Sequence, residues 1–141
     1  IEGKSGEMYD IARKMKFVGW NASGAVIDKE VYFDDLRKNK DIFRNAKSQA
    51  YWRARDMFLE TYHKQNAEDY NNEMVVSFEK IKDNKLFPKF SRELSQAQYT
   101  QSAQGQILIQ KKPNGRKSPN IAESYIIANA KTSHHIPWTV I

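Results

Sequence analysis

The chain has 141 residues and a formal net charge of +6, from 23 Lys and Arg against 17 Asp and Glu. That length supports one hydrophobic core, the 12% aromatic share excludes a disordered composition, and the positive balance favours an anionic partner, most often nucleic acid. The absence of cysteine excludes a disulfide framework, a thiolate zinc site and a cysteine nucleophile, and it suits a reducing cytoplasm. No apolar run approaches the ~18 residues of a membrane span, and no signal-peptide pattern is read at the start. The opening Ile1-Glu2-Gly3 lacks an initiator Met and reads as the beginning of an excised piece.

Met8, Ile11, Ala12 and Met15 share one helical face, which predicts a helix over 6–15. Phe17 to Trp20 reads as a short strand, and Asn21-Ala22-Ser23-Gly24 as a turn. Residues 27–36 are mixed, with extended character around Val31-Tyr32-Phe33. The clearest helix is predicted at about 45–64, where Ala50, Ala54, Met57, Phe58 and Thr61 form an apolar stripe. Residues 65–72 read as a polar loop, Met74 to Phe78 as a strand, and 86–94 as a short helix with Pro88 in its first turn. A β-hairpin follows, with arms 98–102 and 106–110 around Ala103-Gln104-Gly105. Ser118 is the expected N-cap of a last helix over about 119–130, with Pro119 at its first position. Strands mixed with helices argue for an α/β or α+β domain.

The stretch 105–128 carries the most chemistry. A β-rich run, Ile107-Leu108-Ile109, leads into a cationic loop containing Lys111, Lys112, Arg116 and Lys117, and then into an apolar helix with one acid, Glu123. A carboxylate can hold a hard divalent cation, and the loop can hold phosphates. By themselves these residues also fit a hairpin-to-helix linker and a carboxylate on a narrow solvent strip, since acids are seldom fully buried. Glu2, just before a predicted helix, fits an acid near a positive helix end. Gly3-Lys4-Ser5 matches the end of a phosphate-binding P-loop whose earlier glycine and strand are lacking here. His134-His135 reads as tail, because adjacent histidines point apart. His63 suits the negative end of its helix. Lys47, Arg53, Arg55 and Lys64 read as the solvated face of the long helix.

These pieces, in this order, resemble the nuclease domain of the large terminase subunit of tailed bacteriophages. The resemblance is carried by Ile1 to Gly6 with Tyr9-Asp10-Ile11, by 18–25, by 44–52, and above all by Arg92-Glu93-Leu94-Ser95, the glycine-turned hairpin, Lys111-Lys112-Pro113 and 117–123. It implies an α/β fold of ribonuclease H-like type, a mixed sheet flanked by helices, with a C-terminal β-hairpin before the last helix. Residues 1–141 would form a single domain lacking the first core strands. The family holds two divalent ions, Mg²⁺ or Mn²⁺, on three acids. By the motif match Glu2 is the second and Glu123 the third, both Glu where Asp is frequent, and the first, an Asp, falls upstream of Ile1. Asn120, one turn before Glu123, falls where some relatives place a further polar group near the metals.

The implied activity is endonucleolytic cleavage of concatemeric double-stranded DNA during genome packaging. Lys111, Lys112, Arg116 and Lys117 would lie on the DNA backbone. An upstream packaging ATPase, the small terminase subunit and the portal protein would be the partners. No membrane is involved, and the location would be the host cytoplasm at the procapsid portal. Two other readings stay open from the residues: a non-catalytic basic DNA-binding module, and a clipped P-loop ATPase fragment at Gly3-Lys4-Ser5.

Overall fold

A computed structural model of the chain describes residues 20–110, 112 and 115–131. The predicted helix over 6–15, most of the strand at 17–20, Glu2, Gly3-Lys4-Ser5 and His134-His135 lie outside the described residues. The elements are α1 (Asn39–Ile42), α2 (Ala46–Gln65), a 3-10 turn (Asn72–Met74), α3 (Phe87–Ser95), β1 (Gln98–Gln101), β2 (Ile107–Gln110) and α4 (Asn120–Ala128).

Helix α2 is the central strut. Its N-cap is Asn45, whose side-chain oxygen accepts from Ser48 N at 2.9 Å and from Ser48 Oγ at 3.0 Å. The turn at 21–24 closes on Gly24 N to Asn21 O, as the sequence predicts, and then serves the helix. The carbonyls of Gly24 and Ala22 accept from Ala46 N and Lys47 N at 3.0 and 3.1 Å, so amides that a helix start leaves unpaired are satisfied from a neighbouring loop. Ala50, Ala54 and Met57 of the predicted stripe are buried, joined by Tyr51, Ala46 and Ser48. At the far end His63 Nε2 lies 3.6 Å from Glu68 Oε2, beside the last carbonyls of the helix.

The hairpin forms at the predicted place. β1 and β2 pair antiparallel, from Gln98 opposite Gln110 to Gln101 opposite Ile107. Gly105 takes φ +76° in the turn, a conformation that L side chains rarely adopt. Along β2 the side chains alternate, and Ile107 and Ile109 turn inward. Ile109 packs against the cluster of Ala50, Tyr51, Ala54 and Ile126, while Ile107 packs against Val26, Ile42 and Phe43. One strand thereby joins the two halves of the core. Arg44 N donates to Ile107 O at 3.0 Å, and Gln106 Nε2 to Lys40 O at 2.8 Å, fixing the hairpin beside α1.

Two expectations are corrected. The segment from Met74 to Phe78 is not a strand. It leaves the 3-10 turn and runs along α2 with no strand beside it, Val76 N donating to Thr61 Oγ1 at 2.9 Å. Phe78 stacks on Phe58 and meets Phe87, Phe90 and Tyr125. Its β-branched residues thus serve a helix-packed extended segment. The last helix starts at Asn120 and ends at Ala128, with Pro119 as its N-cap and no side-chain cap, so Ser118 does not have the predicted role. Among the described residues the sheet is this two-stranded hairpin.

Replacing Asn45 with Ala removes the cap and strands the hydroxyl of Ser48, which is fully buried. Urea unfolding of Asn45→Ala is expected to show a loss of about 1–2 kcal/mol.

Candidate functional site

Glu123 stands in the first turn of α4, and its N–H makes the opening helical bond to Pro119 O at 2.8 Å. It is half-buried. Asn120, three residues earlier on the same helix and therefore on a neighbouring part of its surface, is exposed. Lys112, Arg116 and Lys117 are exposed on the approach to α4, and Lys111 lies outside the described residues. The cationic loop and the acid-bearing helix are thus adjacent, as the sequence suggests.

The N-terminus of α4 is held from a distance. Pro119, fully buried, brings no side-chain cap. The missing acceptor is Glu93 on α3, whose Oε2 accepts from Ile121 N at 2.8 Å and from Ala122 N at 3.0 Å. Glu93 is only 8% exposed. A buried carboxylate is tolerable when hydrogen bonds and a cation compensate it; here two backbone amides do so, with Lys89 Nζ 3.8 Å from Oε1. One turn along α3, the buried Gln96 donates Nε2 to Lys117 O at 3.0 Å. Sequence reasoning noticed Glu93 only as part of a resemblance. The available signal was a helix whose start has a proline in place of a capping side chain, which calls for an acceptor elsewhere.

Tyr51 of α2 lies against the same region. Its hydroxyl is buried and has no hydrogen-bond partner among the described residues. Burial, then the negative charges of Glu123 and Glu93, push its phenol up to about 12. Tyr51 packs with Ile126 of α4 in the same core cluster. The cations of α2 are less freely solvated than their spacing suggests. Lys47 Nζ lies 6.0 Å from the Tyr51 ring centroid, Arg55 sits 4.9 Å over Trp52 and pairs with Asp56 at 2.8 Å, and Lys64 lies 5.4 Å from Tyr70. Arg53 is half-buried, and its Nε has no hydrogen-bond partner among the described residues.

Oxygen donors such as Glu123 and Asn120 suit a hard divalent cation. Among the described residues no three His, Cys, Asp or Glu side chains converge on a common point, so a two-ion site needs carboxylates from outside them. Nor, among those residues, is any helix long and apolar enough to cross a membrane.

The backbone that carries these groups has known counterparts. It superposes on the nuclease domain of the large terminase subunit gp2 of bacterial virus Sf6 with a TM-score of 0.71 and 24% identity, covering 79% of this chain and 51% of that one. The chain has the fold of a large-terminase nuclease domain. A point mutant of the Sf6 terminase domain, with manganese and beta-thujaplicinol, matches at TM-score 0.72 and 24% identity over 81% of this chain and 53% of its own. A mutant form with calcium matches at 0.69 and 24% identity, over 78% and 51%. The chain spans about half the length of these terminase domains. No family model and no curated protein matches the sequence significantly.

Because the folded state disfavours the phenolate, Tyr51 contributes stability that is intact below pH 10 and is lost as pH rises toward 12. Urea unfolding of Tyr51→Phe and wild type is expected to differ by a constant amount below pH 10. Between pH 10 and 12 the difference should move in favour of the variant.

Proposed function

We propose that the chain is part of the nuclease domain of a viral genome-packaging terminase, a metal-dependent endonuclease acting on concatemeric double-stranded DNA. The observation that carries this reading is the fold match over 79% of the chain, with Glu123 and the cationic loop adjacent on that fold. In this reading residues 1–141 form one domain of ribonuclease H-like type. Its sheet would be a mixed one flanked by helices, of which the hairpin is a part. The manganese and calcium of the Sf6 domains support a divalent ion, Mg²⁺ or Mn²⁺, as the cofactor here.

Glu123 and Glu2 would hold the ions, with Asn120 offering a neutral oxygen. Ions held there would supply an activated water and stabilise the leaving oxygen for phosphodiester hydrolysis. The chain's own residues do the remainder. Clustered carboxylates repel one another until a cation compensates them, so the acids themselves make ion binding favourable. Lys111, Lys112, Arg116 and Lys117 would seat the phosphate chain. Because phosphate contacts carry no base information, cleavage would be largely indifferent to sequence. An upstream packaging ATPase, the small subunit and the portal would be the partners, at the procapsid in the host cytoplasm.

Plasmid nicking by the full-length protein with added Mn²⁺ tests the assignment of Glu123. Glu123→Ala is expected to lose well over the roughly 10–100-fold that substitutions behind a metal ligand cost; nicking at the wild-type rate would remove Glu123 from the site. A second measurement addresses the loop. Replacing Lys112, Arg116 and Lys117 with Ala is expected to weaken DNA binding and to lower the slope of log affinity against log salt by about 0.9 for each phosphate no longer neutralised.

A further inference from the structure

We infer that α3 is a positioning element for the reaction: Glu93 fixes the turn that carries Glu123, and Gln96 fixes the end of the cationic loop, so that one helix end sets the distance between carboxylate and phosphate-binding groups. The inference rests on the proposed nuclease function.

The geometry is specific. Glu93 lies in the last turn of α3 and Gln96, three residues on, is its C-cap, with backbone still in the helical region. The first grips the amides of Ile121 and Ala122, immediately before Glu123; the second grips the carbonyl of Lys117, immediately after Arg116. Pro119 offers α4 no capping side chain, and Ser118 does not cap it. Without Glu93 the amides of Ile121 and Ala122 would be left beside a buried proline with no acceptor, and the first turn of α4 would fray to find one. Glu123 is in that turn. Fraying would therefore move a ligating carboxylate rather than a distant surface group. Loss of Gln96 would instead free the backbone beside Arg116 and Lys117 and leave the turn of Glu123 held. Both residues are buried, so neither is placed to contact DNA or an ion itself.

The two bonds predict separable defects in the full-length protein. Glu93→Ala is expected to raise the Mn²⁺ concentration for half-maximal plasmid nicking about 10–100-fold, the range for groups that orient a ligand, with DNA affinity in the absence of metal nearly unchanged. Glu93→Gln, which keeps an acceptor oxygen, should recover most of that loss. Gln96→Ala should weaken DNA binding several-fold and leave the Mn²⁺ requirement at the wild-type value. Circular dichroism and thermal melts identify variants that fold. If Glu93→Ala does not fold, the comparison of Glu93→Gln, expected near wild type in Mn²⁺ requirement, with Gln96→Ala, expected to alter DNA affinity alone, decides the matter. A folded Glu93→Ala with wild-type Mn²⁺ requirement, or a Gln96→Ala that changes Mn²⁺ requirement and leaves DNA affinity intact, overturns the inference. If wild type neither nicks DNA with Mn²⁺ nor binds Mn²⁺ by calorimetry, the nuclease reading itself fails and this inference falls with it.

Discussion

The arrangement of the candidate site depends on one buried carboxylate. Glu93 binds the amides of Ile121 and Ala122, and so determines where α4 begins. The physical constraint is general: the first amides of a helix lack intrahelical acceptors, and buried polar groups are costly when unsatisfied. Most helices solve this with the residue just before them. Here that residue is proline, and the acceptor comes from a different helix. Two deficits, a carboxylate out of water and amides without partners, cancel one another. The result is a rigid joint between α3 and α4, reinforced by the packing of Phe90 edge-on to Tyr125.

Around that joint the rest of the molecule is organised by α2. Its buried stripe receives α4 through Ile126 and the hairpin through Ile109. The aromatic group of Phe58, Phe78, Phe87, Phe90 and Tyr125 links α2, α3 and α4, with ring centroids 5.4–6.0 Å apart, and four of these rings line a cavity of about 520 Å³ beside Tyr51 and Ile126. Such spacing is typical of favourable aromatic pairs.

Much of this was legible in the sequence wherever a local rule governs the outcome. Helix α2 follows from its apolar period and from Asn45 at its start. The hairpin follows from alternation around Gly105, and α3 from the tolerance of Pro88 in a first helical turn. Reading failed where a residue's partner lies far along the chain. Val75 and Val76 have strand-forming side chains, yet Val76 finds the hydroxyl of Thr61 rather than another strand. Ser118 has the chemistry of a cap, but Glu93 already occupies that role. Glu123 was visible as an acid in an apolar helix; that its charge would act on Tyr51 of α2 was not. Periodicity tells which face of a helix is buried and gives no account of which distant group will meet it.

The hairpin between α3 and α4 has a consequence for chain entropy. Glu93 and Ile121 are separated by 28 positions, and their bond must close that loop. The antiparallel pairing of residues 98–101 with 107–110 lies wholly within it. Once the strands pair, the span left to close is the short stretch on either side of them. The cost of loop closure rises only logarithmically, about 0.6 kcal/mol per doubling, so the saving in equilibrium terms is small. Its larger effect is on order. A local hairpin can form before any distant pairing exists, and it then carries the start of α4 back toward Glu93. The segment separating the two halves of the joint is also the one that draws them together.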